Sequence, residues 1–76
     1  MSKLPRTDGR KVLRFLCNKK ECKTLSSKGG HAKVESPAGK RATIPVHGKL
    51  KVGTLEGILK RLEIPEDVFI KEWEEY

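Results

Sequence analysis

The sequence predicts an α+β domain in the order helix, three strands, helix, short helix, with one antiparallel sheet and the helices packed on one face of it. Three observations carry this. Apolar residues recur at helical spacing twice, first at Val12, Leu13, Leu16 and Cys17, then at Leu55, Ile58, Leu59 and Leu62. Between these stretches, HAKVE and KRATIPVH alternate apolar with polar residues, as half-buried strands do. The turn formers KGG and SPAG bound the two alternating runs.

Each element has a local cause. Thr7 or Asp8 is a good N-cap for the first helix, and Asn18 can close it. Phe15 is placed for the core, while Arg10, Lys11 and Arg14 lie mostly off the apolar face. After a turn at Lys19 to Glu21, CKTLSS reads as a short strand with Leu25 as its one large apolar residue. The Lys28-Gly29-Gly30 turn leads into the next strand, where Ala32 and Val34 share one face and His31, Lys33 and Glu35 the other. In SPAG, Pro37 suits an early turn position and Gly39 a left-handed one. The third strand turns Ala42, Ile44 and Val46 inward and Arg41, Thr43, Pro45 and His47 outward. Pro45 cannot donate to a ladder, so the strand is an edge there or ends there. The second helix starts at Gly53-Thr54 with Thr54 as its N-cap, and Glu63-Ile64 closes it. Pro65 opens the last helix, whose apolar face is Val68, Phe69 and Trp73, with Trp73 packed inward. Glu66 and Asp67 near its start favour the helix dipole.

Seventy-six residues make one domain, 1–76, with a modest core and a flexible leader expected over residues 1–6. No apolar run is long enough to span a bilayer, and the N-terminus lacks an apolar signal region, so a cytoplasmic protein is expected. The net charge is +7. Its distribution says more: residues 1–62 hold sixteen bases against four acids, and residues 63–76 hold one base, Lys71, against six acids. A basic body of this kind suits an anionic partner such as nucleic acid. Cys17 and Cys22 together with His31 and His47 have the composition of a zinc site, but the two histidines are sixteen residues apart and neither spacing suits a finger. No metal or cofactor is therefore expected, and Cys17 reads as a small apolar residue at a helix end.

His31 is one of two histidines and follows a glycine pair. Its register points it away from the apolar face, beside Lys33 and Glu35. Gly29 and Gly30 form a tight hairpin and leave room for another backbone or a phosphate to approach.

SKGGHAKV followed by KRATIPVHGKLKVGTLEGILKRLEI resembles the HicA family of toxin mRNA interferases. Gly53-Thr54-Leu55, Ile58 and Leu59 match that family's helix start, and Pro45, Val46, His47 and Gly48 match the segment before it. Gly29, Gly30 and His31 stand at its glycine-serine-histidine element, with Gly30 where the family usually has serine. The resemblance runs from about the first helix to Trp73 and implies a fold like that of double-stranded-RNA-binding domains, as the element order also suggests. It implies a type II toxin that cleaves mRNA without a metal, His31 as the catalytic residue, and a cognate HicB-like antitoxin as partner. Histidine suits this chemistry because the ribose 2′-hydroxyl is an internal nucleophile and the enzyme must move protons near neutral pH.

Lys28 and Lys33 are the sequence-near cations that can stabilise charge on phosphoryl oxygens. Lys40, Arg41, Lys49 and Lys51 bracket the third strand and its exit loop and suit a phosphate backbone. His47 stands among them as a phosphate-binding residue or a second proton-transfer group. With only Phe15, Phe69, Trp73 and Tyr76, a base-stacking platform is not expected. The alternative reading is a non-catalytic RNA-binding module on the same fold, since Gly30 removes a hydroxyl beside His31.

Overall fold

The computed structural model of the protein describes residues 4–76. Of the leader expected over residues 1–6, the first three lie outside the described residues, and Leu4 is buried in the core. The chain runs β1 (Thr7–Asp8), α1 (Gly9–Lys19), β2 (Lys23–Lys28), β3 (His31–Glu35), β4 (Arg41–Pro45), β5 (Lys49–Leu50), α2 (Val52–Arg61) and α3 (Glu66–Glu74). This is the α+β architecture read from the sequence, with β2-β3-β4 as one antiparallel sheet.

Asp8 is the cap of α1: its Oδ1 accepts the Lys11 N–H at 2.7 Å. The helix runs past Asn18 to Lys19, which corrects the expected stop. The Lys20 and Cys22 N–H groups both return to the Leu16 carbonyl. Glu21 takes the left-handed turn at φ 54° in place of the usual glycine.

Along β3 and β4 the alternation holds. Ala32, Val34, Ala42 and Ile44 are buried, and the last three join one core with Val12, Phe15 and Leu16 of α1, Leu55, Ile58 and Leu59 of α2, Leu62 and Phe69. Burying each large side chain contributes about 1.5–3 kcal/mol. Both α1 and α2 pack on β4, and β2 is the opposite edge of the sheet. That explains β2: every residue is exposed, and the register breaks between Thr24 and Ser26. Leu25 falls in this bulge and stands 43% exposed rather than in the core.

β4 ends at Pro45, one of the two outcomes expected there, but Val46 leaves the ladder half-buried instead of continuing the inward face. Two further features were not expected. β1 and β5 form a two-residue ladder, Thr7 opposite Leu50 and Asp8 opposite Lys49. Two residues are too few to show alternation in a sequence. α2 begins at Val52 with Lys51 as its cap, three residues before the expected cap Thr54, so Thr54 lies inside the helix. At its other end Glu63 adopts φ 57°, with Glu63 N–H on the Lys60 carbonyl and Ile64 N–H on that of Leu59. This is a Schellman closure, and it agrees with the expected stop.

Pro65 is the residue before α3 rather than its first. Val68 faces solvent, and Phe69, Ile70 and Trp73 pack on the core instead. The Phe15 ring lies edge-on to Phe69 at 5.0 Å and to Tyr76 at 5.5 Å, and Phe69 stacks on Trp73 at 5.3 Å. The Tyr76 hydroxyl accepts a hydrogen bond from the Asn18 amide at 3.2 Å. Lys11 lies over the Trp73 ring and Lys20 pairs with Glu72. Tyr76, for which the sequence offered no role, closes this corner.

Candidate functional site

The site is built at the Gly29-Gly30 end of the β2-β3 hairpin. Both glycines have positive φ, 59° and 82°, which the tight turn requires. The turn sets Lys28 directly opposite His31 on one side, and β4 sets Pro45 opposite it on the other. Side chains paired in this way share a face, about 4.5–5.5 Å apart at Cβ. His31 is exposed there, as the alternation demands.

The imidazole is oriented. Its Nδ1 lies 3.2 Å from the Gly29 carbonyl oxygen. A carbonyl only accepts, so the ring nitrogen donates in this contact. Nε2 has no partner among the described residues.

His47 enters from the other strand. The Val46 N–H donates to the Gly30 carbonyl at 2.8 Å and brings the exit of β4 onto the turn. The His47 ring then occupies the space beside the Gly30 Cα: a Cβ added there would sit 3.0 Å from Nε2 and overlap Cδ2. On its other side this exit segment meets Gly9. The Gly9 N–H reaches the Gly48 carbonyl at 3.4 Å, and a Cβ on Gly9 would stand 2.7 Å from the Pro45 carbonyl carbon and overlap its oxygen. Sequence reasoning missed Gly9. The signal was there, since glycine in the first turn of a helix costs stability unless something packs against it.

The structure divides the expected cations. Lys28 flanks His31, and Lys33 follows on the same face two residues along, about 7 Å by strand geometry. Lys49 on β5 and Lys51 just before α2 line a separate groove with Arg6 and Val52. Lys40 and Arg41 lie at the far end of β3-β4, about 13 Å along the strand. There Lys40 pairs with Glu63 at 3.2 Å and Arg41 with Glu35 at 3.0 Å.

Between the two groups runs an open cleft of about 530 Å³, lined by Lys33, Arg41, Thr43, Thr54 and Arg61. Arg61 was not singled out from the sequence. Its spacing from Gly53 and Gly57, four residues at each step, marks one stripe of α2 with little side-chain bulk.

Among the described residues no group of three or more His, Cys, Asp or Glu side chains is placed to hold a metal ion. Both cysteines are free. Burial pushes the Cys22 thiol above the usual range, the nearby Cys17 adds to this, and Lys20 opposes it. No helix among the described residues is long and apolar enough to cross a membrane.

A family model described as the HicA toxin of bacterial toxin-antitoxin matches residues 9–64. The match takes in both histidines and ends before α3. No curated protein and no solved structure matches the chain.

Proposed function

We propose that this chain, which belongs to the HicA toxin family of bacterial toxin–antitoxin systems, is a metal-independent endoribonuclease that cuts mRNA with His31 as proton-transfer residue. The observation that carries this reading is the exposed His31 ring, held through Nδ1 by the Gly29 carbonyl with Nε2 facing out. In the reaction, Nε2 takes the proton of a ribose 2′-hydroxyl as that oxygen attacks the adjacent phosphorus. One such positioned base is worth about 10²–10⁴-fold in rate.

Lys28 and Lys33 share a face with His31 and supply positive charge where the phosphoryl oxygens gain negative charge. The cleft lined by Lys33, Arg41 and Arg61 continues that charge and suits the RNA backbone. His47, Lys49 and Lys51 carry it past the turn, and Gly29 and Gly30 let a phosphate come close. The partner in the cell is a HicB-like antitoxin. It blocks the toxin by covering this basic face with an acidic or shape-matched surface, in the cytoplasm where mRNA is found.

One observation favours a second reading. Gly30 stands at the position of the family's usual serine, so the hydroxyl beside His31 is missing. In that reading the same face binds RNA without cutting it. Purified protein with end-labelled RNA in EDTA separates the two. The nuclease cuts, and His31→Ala abolishes cutting while RNA binding remains. Binding with no cutting by the parent protein overturns the nuclease and leaves the module.

A further inference from the structure

We propose that His47 is the second proton-transfer group of this site, the acid that protonates the leaving 5′-oxygen, and that Gly30 admits its ring to that position. The inference rests on the nuclease reading above.

The His47 ring lies in the volume that any side chain at residue 30 would fill: Nε2 stands 3.0 Å and Cγ 3.3 Å from the place of a Cβ. Residue 30 directly precedes His31. Two imidazoles therefore flank one glycine, His31 through the chain and His47 through space. Both side chains are exposed, so both can meet a polynucleotide from solvent.

The position of His47 is fixed by backbone. Its segment is held from one side by the Val46 N–H bond to Gly30 and from the other by the contact of Pro45 and Val46 with Gly9. In the ladder His31 faces Pro45, two residues before His47. Where the family usually carries a hydroxyl, this chain carries room, and the ring of His47 lies in it.

The chemistry needs a second group of this kind. In-line attack forms the bond from 2′-oxygen to phosphorus and breaks the bond from phosphorus to 5′-oxygen. The 2′ proton goes to His31 Nε2, and a proton from the His47 imidazolium goes to the departing 5′-oxygen. The products are a 2′,3′-cyclic phosphate and a 5′-hydroxyl, with no water, metal or redox partner consumed. Histidine suits both roles because it exchanges protons near neutral pH.

A substrate carrying sulfur in place of the 5′-bridging oxygen, at the bond that the protein cuts, tests this directly, because a thiolate leaves without being protonated. On the ordinary RNA, His31→Gln and His47→Gln each slow cleavage by about 10²–10⁴-fold. On the sulfur substrate, His47→Gln recovers to within about tenfold of the parent protein, and His31→Gln does not. Equal losses for His47→Gln on both substrates overturn the assignment, since a residue that only binds phosphate or props the loop is not rescued by a better leaving group. Parental rates for His47→Gln on ordinary RNA overturn it as well. If the parent protein cuts neither substrate while still binding RNA, the nuclease reading itself has failed and this inference falls with it.

Discussion

Two corners of this small domain are assembled by opposite means. Where α3 meets α1, four aromatic rings lie within 6.2 Å of a neighbour, centre to centre, and Phe15 and Phe69 are fully buried. At the hairpin end of the sheet, His31 and His47 are exposed, and what fixes them is close backbone approach at Gly9 and Gly30. The first corner holds the fold through apolar area. The second spends glycines, with no side chain to pack, to keep two polar rings in a fixed relation. On the proposed function, stability and chemistry are carried by separate residues, and substitutions should divide in the same way.

The largest stability effect belongs to the aromatic corner. Phe69→Ala costs about 3–5 kcal/mol, because a fully buried ring leaves a cavity behind. Urea unfolding measures it. A loss below 1 kcal/mol would erase the contrast between the corners.

At the other corner, His31→Ala lowers RNA cleavage by about 10²–10⁴-fold. Its unfolding free energy changes by no more than about 0.5 kcal/mol, since an exposed side chain is removed. Parallel rate and urea measurements on one preparation show whether the two quantities separate.

Gly9→Ala sharpens the comparison through its sign. Helix propensity alone makes alanine better than glycine by about 0.5–1 kcal/mol. The added Cβ would instead run into the Pro45 carbonyl, so a loss of about 1–3 kcal/mol is expected, with slower cleavage as the His47 segment shifts. A stabilised Gly9→Ala protein would mean that the exit of β4 is not held in this way.

Smaller effects follow. Tyr76→Phe removes the bond to Asn18 and costs about 0.5–1.5 kcal/mol, at the low end because Tyr76 is 40% exposed. The thiols give the gentlest probe. Burial keeps Cys22 protonated above the usual thiol range, so iodoacetamide at neutral pH labels half-exposed Cys17 first. Mass spectrometry after tryptic digestion reads the order, and faster labelling of Cys22 would show that the end of α1 is open.

Much of the aromatic corner and the sheet was legible in the sequence because it is written in local periods. Val12 and Leu16, Ala32 and Val34, Ala42 and Ile44, and Leu55, Ile58 and Leu59 all fall where spacing put them. His31 was legible for the same reason, as the polar phase of an alternating strand. What escaped was set by distant backbone. The β1-β5 ladder joins residues more than forty apart, and nothing in either dipeptide marks it. The exposure of Leu25 follows from a bulge in β2 that local alternation does not reveal. The contact between Gly30 and His47 depends on how two strands end together, a relation that single-residue preferences do not encode.

The central claim is that His31 activates the 2′-hydroxyl of the RNA itself, and the ends of the cut strands test it most directly. Mass spectrometry of fragments made by the purified protein in EDTA should find 2′,3′-cyclic phosphate and 5′-hydroxyl termini, with 2′-O-methyl RNA of the same sequence left whole. Fragments ending in 3′-hydroxyl and 5′-phosphate, or cleavage of the methylated strand, would contradict it.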